Sequence, residues 1–276
     1  WEAVGFLGQG VDQILECYSV ITLAMGPQFQ SYGPLVFERS LSVVRELNKV
    51  ILQEFDEQKC DTVTYALNVL SAIVRAFKGG VGPILHKSDL GTVIFESLKI
   101  EDPLIRQNCV ALLGDLAHHA IDYIRPGIRT VIEFLIQAVD PQYETVCNNS
   151  AWALSTIALQ TGDDFVPYLD YVVDKYLSIY SYFKHHAVLM RNVSLAFGRL
   201  CYAFPERLSR YLDRFLGPWC ANIRTNRSDD DRKVAYVGMC KCIRANPSGA
   251  LPWLADLCDA FVWYDTEQPD DVVQEV

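Results

Sequence analysis

Of the chain's 276 residues half are hydrophobic, enough to build a sizeable core in one or two globular domains or in a stack of repeated units. A formal net charge of −10 argues against nucleic acid as a direct partner, because phosphates ask for Lys and Arg, and suits a basic partner or plain solubility. Nine cysteines, an odd number scattered through apolar stretches, argue against a secreted disulfide framework and read as free thiols in a reducing compartment.

Apolar periodicity near 3.6 predicts helices over roughly 10–25, 34–55, 59–78, 82–98, 102–120, 125–140, 143–162, 166–181, 184–204, 206–224, 229–246 and 249–264. Strand signals are absent, since β-branched residues recur at helical spacing rather than in alternation. Gly26-Pro27 closes the first helix and Gly79-Gly80 the third. Asp102-Pro103 reads as an N-cap followed by proline at the first helical position. Gly162 and Pro205 are further stops, and Ser228 with Asp229, Asp230 and Asp231 is a capping cluster whose charge suits a helix N-terminus. The tail from Asp265 is acidic and reads as a loop or the start of another helix. The apolar run 131–139 is interrupted by Glu133 and Gln137 and is too short to span a bilayer, so no membrane insertion is expected. Trp1 in place of an initiator methionine points to a segment of a longer protein, with no targeting signal legible at either end.

The helices recur as pairs. Pro34, Pro83, Pro126, Pro167 and Pro252 each stand near the start of the first helix of a pair, in steps of 49, 43, 41 and 85 residues. The last step is close to two periods, and Arg207-Leu208-Ser209-Arg210-Tyr211-Leu212 fills the gap without a proline. A period of about 40–45 residues in an all-helical pattern is the signature of HEAT or armadillo arrays. The expected fold is therefore all-α, an α-solenoid of HEAT repeats with 1–276 as one segment of a longer array. Its repeats fall at about 34–78, 82–120, 125–162, 166–204 and 206–246, with partial repeats at both ends. Asp102-Pro103-Leu104-Ile105-Arg106 leading into Ala111-Leu112-Leu113-Gly114-Asp115-Leu116 resembles the second, or B, helix of a HEAT repeat. There the Asp caps, and Asp and Arg often form a ladder between repeats. This phasing makes 59–78, 102–120, 143–162, 184–204 and 229–246 the B helices that line the concave side, and the proline-marked helices the outer A helices. Such surfaces usually bind rather than catalyse.

Catalytic constellations are missing: there is no GxSxG, HExxH or P-loop. Gly8-Gln9-Gly10 and Gly79-Gly80-Val81-Gly82 do not join a strand to a helix, as phosphate loops do. Neighbours in a helix point about 100° apart, so His118-His119 and His185-His186 are poorly placed to chelate one ion. Cys240 and Cys242 find no second pair to complete a zinc site. No enzyme activity, cofactor or metal is expected.

One helix does not read as plain core. In Val146-Cys147-Asn148-Asn149-Ser150-Ala151-Trp152, Trp152 lies four residues after Asn148 and three after Asn149, so the three can share a face. Adjacent asparagines are poor helix formers and ask for a compensating role. Two readings follow. On an open face the amides can hydrogen-bond the backbone of an extended peptide and the indole can hold a proline or aromatic ring. Alternatively Trp152 is core and the asparagines serve neighbouring loops.

At this phrase the chain also resembles a known family. Cys147-Asn148-Asn149-Ser150-Ala151-Trp152 is similar to the Cys-Asn-Asn-Ala-Thr-Trp phrase of the transportins, karyopherin-β importers that carry proline-tyrosine (PY) nuclear localisation signals. Ala111-Leu112-Leu113-Gly114-Asp115-Leu116, Gly198-Arg199-Leu200, Pro218-Trp219-Cys220 and Asn246-Pro247-Ser248-Gly249 resemble further phrases of that family, in order. The resemblance implies a large part of a C-terminal arch whose concave side binds extended cargo signals. Trp152 would pack the proline-tyrosine pair, with Leu195 beside it. Asn148, Asn149 and Asn192 would bind backbone, and Asp115 would attract Arg or Lys. It also implies cargo proteins with disordered signals, often RNA-binding proteins, as partners. Further partners would be nucleoporins and, through an N-terminal part outside this segment, the Ran GTPase. Shuttling between cytoplasm and nucleus would follow. Asn68 and Arg75 stand where the family carries acids, and Arg191 where it carries a glutamate, which implies a weakly read basic end or a shifted cargo set. A HEAT scaffold for folded partners is the other function the pattern allows.

Overall fold

The computed structural model describes residues 10–182, 186–223 and 230–265. Among them there is no strand, and twelve α-helices exceed one short turn. These are α1 (Val11–Met25), α2 (Gly33–Ile51), α3 (Glu57–Phe77), α4 (Leu90–Ser97), α5 (Pro103–His119) and α6 (Ile128–Ala138). They continue with α7 (Glu144–Thr161), α8 (Val166–Tyr182), α9 (Ala187–Ala203), α10 (Leu212–Asn222), α11 (Asp230–Ala245) and α12 (Leu254–Asp265). Each matches one predicted helix. The Ser228-Asp229 part of the expected cap, His185, the start of the helix predicted at 184 and the acidic tail lie outside the described residues.

The A helices are less continuous than the periodicity suggests. The helix predicted at 82–98 is a turn over Gly82–Leu85, a break, and then α4. Within the break Ser88 Oγ donates to the Leu85 carbonyl (2.8 Å), and Asp89 gives its carboxylate to Arg45 of α2 in a bidentate pair (2.6 and 3.0 Å) instead of capping α4. The starts predicted at 125, 206 and 249 are likewise short turns over Arg125–Gly127, Pro205–Leu208 and Pro247–Ala250 that lead into α6, α10 and α12. Proline fixes φ and lacks a donor, so it fits such first turns.

The chain divides into two compact units, Trp1–Val131 and Ile132–Val276. In the first, the B helices form a row in which α3 packs between α1 and α5, and α2 lies against α3 and α4. Leu41, Val44, Val63, Leu67, Leu70, Ile73, Val110 and Leu112 are fully buried there. In the second, α9 packs between α7 and α11, while α10 touches α8 and α12. Its core is aromatic: Phe197 of α9 stacks on Phe215 of α10 with centroids 4.7 Å apart and meets the edge of Tyr176 of α8 at 5.3 Å. Each such buried ring contributes about 2–3 kcal/mol. The polar tips are satisfied, because Tyr176 Oη donates to the Ala151 carbonyl (2.8 Å) and Trp219 Nε1 to that of Ser194 (3.0 Å).

Small residues set how close α9 and α11 come. A Cβ added at Gly238 would lie 2.0 Å from the Gly198 carbonyl oxygen, and one at Gly198 would lie 2.5 Å from Ala235 Cα. Both obstacles are backbone, so any side chain there forces the helices apart.

The B helices α1, α3 and α7 end alike, in a residue with φ near +54° and ψ near −130°: Gly26, Lys78 and Gly162. Glycine holds this conformation without a steric penalty, whereas the Lys78 Cβ is strained there at φ 50°. Lys78→Gly is expected to raise unfolding stability by about 1 kcal/mol, net of glycine's greater freedom in the unfolded chain. A urea titration checks this, and an unchanged or lower midpoint would contradict it.

Candidate peptide-binding face

The face is built on α7 and α9. Asp140 caps the turn before α7, its Oδ1 accepting from the Gln142 amide at 3.0 Å. On α7 the residues Val146, Cys147, Ser150, Ala151, Leu154, Ile157 and Ala158 point into the packed interior. Asn148, Asn149 and Trp152 are left half-buried on the opposite side. On α9 the same logic leaves Asn192 and Leu195 half-buried while Leu189, Val193, Ala196 and Phe197 are enclosed. The structure thus brings five of the six expected residues onto two neighbouring helices, and Trp152 is not core.

The asparagines hold one another. Asn192 Nδ2 donates to Asn148 Oδ1, and Asn148 Nδ2 donates to Asn149 Oδ1 at 3.3 Å. This relay compensates for their poor helix propensity and pins α9 against α7. The backbone under the indole is fixed as well. The Trp152 carbonyl accepts from Ser155 Oγ and Thr156 Oγ1 (both 2.9 Å), and the carbonyl before it accepts from Tyr176.

Two supports escaped the sequence reading. Arg199, buried to 4 % exposure, donates from Nη1 to Ser155 Oγ (3.3 Å) and Thr156 Oγ1 (3.4 Å) of α7 and pairs with Asp231 of α11. It ties three B helices together below the face. The other support is Tyr176. The separations of 44 and 43 residues between Arg199 and its two hydroxyl partners equal the repeat period, which is the signal that could have found it. An inter-repeat rung lies here and none at Arg106, which forms no ion pair among the described residues, while Asp102 caps its own helix through the Ile105 amide (2.8 Å).

Asp115, on α5, belongs to the first unit. It is 9 % exposed and accepts a hydrogen bond from Ser71 Oγ of α3. Burial pushes its carboxyl up to about 6, against the opposing pull of the Ser71 bond and the Arg75 charge. Asn68 and Arg75 are exposed on α3. The rings of His118 and His119 stack at 4.4 Å rather than diverging, and burial first, then the neighbouring cations, push His119 down to about 4.

Nothing among the described residues groups three metal-ligating side chains, and none of their helices is long and apolar enough to cross a membrane. A cavity of about 610 Å³ opens in the first unit, lined by Phe95, Leu113, Leu116 and Tyr123, and contains none of the expected site residues.

An all-α array of packed helix pairs defines a repeat solenoid. Its fold matches a designed armadillo repeat protein with a TM-score of 0.59 at 14 % identity, over 84 % of this chain and 92 % of that one. No family model matches the sequence. Transportin-1 of Mus musculus is 28 % identical over 263 residues, which is 93 % of this chain and 29 % of the relative. Importin subunit beta-2 of Schizosaccharomyces pombe is 27 % identical over 275 residues, 95 % and 30 % respectively. The transportin of Dictyostelium discoideum is 26 % identical over 265 residues. The chain is transportin-like over most of its length, and it spans less than a third of the length of these relatives.

Asp115 and His119 of α5 act on stability with opposite sign. Asp115, raised above its ordinary 3.8, contributes fully below that value, and its contribution is lost as pH rises through about 6. His119, lowered from 6.5, contributes above that value, and its contribution is lost as pH falls through about 4. Replacing Asp115 isolates the first effect. Between pH 4 and pH 7 Asp115→Asn is expected to gain about 2–3 kcal/mol relative to the parent chain. A stability difference that does not vary over that range, measured by urea unfolding, would show that the carboxyl is not shifted.

Proposed function

We propose that this chain is part of a nuclear import receptor and that the α7–α9 face binds extended, disordered cargo signals of the proline-tyrosine type. One observation carries the reading: Trp152 stands half-open beside three asparagine amides on adjacent helices, a flat apolar platform next to groups that can exchange their mutual bonds for peptide backbone. The transportin-like sequence supports the same reading. On it, 34–78, 82–120, 125–162, 166–204 and 206–246 are the working repeats of a longer array, and catalysis has no part. Cargo proteins, Ran and nucleoporins are the partners of the whole receptor, which shuttles between cytoplasm and nucleus. A scaffold for folded partners would be favoured by a Trp152 enclosed between the layers, and the indole is not so placed.

The test is a fluorescence-anisotropy titration with a labelled PY-type peptide and its Pro-Tyr→Ala-Ala control. Truncating an aromatic anchor typically costs about 2 kcal/mol, so Trp152→Ala should weaken binding about thirtyfold while the melting temperature stays within a few degrees. Equal affinity of parent and variant would remove the proposed site. A large fall in melting temperature would move Trp152 to the core.

A further inference from the structure

The carboxylates of the second unit are not spread evenly over its helices. Its A helices carry Asp170, Asp174, Asp213, Asp256 and Asp259. Its B helices carry no carboxylate beyond their first turns: α7 has Glu144 at its first position, α9 has none, and α11 has Asp230 and Asp231 at its start. Two of these three are engaged. Glu144 Oε2 lies 3.3 Å from His186 Nδ1, and Asp231 pairs with Arg199.

Of the cations on the same helices Arg199 and Arg232 are buried, while Arg191 of α9 and Lys241 of α11 reach solvent. Val188, Arg191, Asn192, Leu195 and Tyr202 follow one another along α9 at helical spacing and stay in contact with solvent, while the residues between them are buried. Arg191 makes no ion pair among the described residues. At the far end of the stripe Lys241 of α11 holds its Nζ 3.5 Å from the centroid of the Tyr202 ring, and Tyr202 is 39 % exposed. A cation–π contact of this kind steadies the ammonium without neutralising it. A basic segment lying along the stripe would meet two cations and no carboxylate past the helix starts. A segment carrying carboxylates would find Arg191 beside the asparagine relay and Lys241 beside the aromatic ring.

We propose that this face selects extended peptides whose flank next to the apolar anchor is acidic, not basic. The inference rests on the receptor reading above and fixes the charge of its ligand. Arg191 would offer its guanidinium fork to a carboxylate next to the Trp152 anchor, and Lys241 would act as a second, longer-range attractor. Half-exposed pairs of this kind are modest and screened by salt, so the preference is one of selection more than of tight binding.

The experiment uses the whole chain and synthetic peptides that share one apolar proline-tyrosine end and differ only in a flank of glutamates, glutamines or lysines. At low salt the glutamate peptide should bind about five- to tenfold more tightly than the lysine peptide, with the glutamine peptide between them. The preference should shrink at high salt. Arg191→Glu with Lys241→Glu should reverse the order, and Arg191→Gln should narrow it while leaving the melting curve unchanged. Tighter binding of the lysine peptide would overturn the proposal, and so would an acidic preference that the charge-reversed variant keeps. In both cases a loss of binding in Trp152→Ala would leave the receptor reading standing. If no peptide binds, or if Trp152→Ala changes nothing, the receptor reading falls and this inference with it.

Discussion

The second unit depends on the backbone-to-backbone approach of α9 and α11. Gly198 and Gly238 leave no room for a side chain between them, so the two helices can meet in one register only. That register sets Asp231 of α11 beside Arg199 of α9, and on its other side α9 is tied to α7 by Arg199 with Ser155 and Thr156 and by Asn192 with Asn148. The rungs from Asn192 to Asn148 and from Arg199 to Ser155 and Thr156 join residues 43 or 44 apart, about one repeat. The first unit has its own rungs, Ser71 to Asp115 between B helices and Arg45 to Asp89 between A helices. Apolar burial supplies the driving force for stacking, and these directional bonds decide how one layer sits on the next.

Half-burial is the property that matters for binding. A packed B row encloses two sides of each helix and leaves one stripe at its exposed edge. Residues there are held by their neighbours yet remain in reach of solvent. Asn148, Asn149 and Asn192 already bond each other, so a peptide need not bring ordered partners to a floppy surface. Tyr176 and the Ser155 and Thr156 hydroxyls fix the helix around Trp152, which lowers the ordering cost of binding.

The fold was largely legible because its signals are local. Apolar spacing, Asp102-Pro103 and the glycines at 26 and 162 mark helices that the structure contains. The break at 86–89 was not legible, because it depends on Asp89 reaching Arg45 on a different helix. The strain at Lys78 was hidden for the opposite reason, since its residue type gives no hint of a positive φ. At the candidate site the Asn-Asn-Trp spacing announced a shared face, and α7 presents it. Arg199 read only as part of a phrase, because its role depends on three helices meeting. Asp115 was expected as an open acid, and its burial against Ser71 is a tertiary effect that no single helix encodes.

The central claim is that a packed B row holds Trp152 at an open edge while Trp219 serves the core. The indole N–H resonances of the 15N-tryptophan-labelled chain address it directly. Trp219 is fully buried and donates to Ser194, so its signal should stay in place when a proline-tyrosine peptide is added. The signal that disappears in Trp152→Phe should shift progressively with peptide concentration. A Trp152 signal that does not move, with Trp219 shifting instead or no indole responding, would contradict the account.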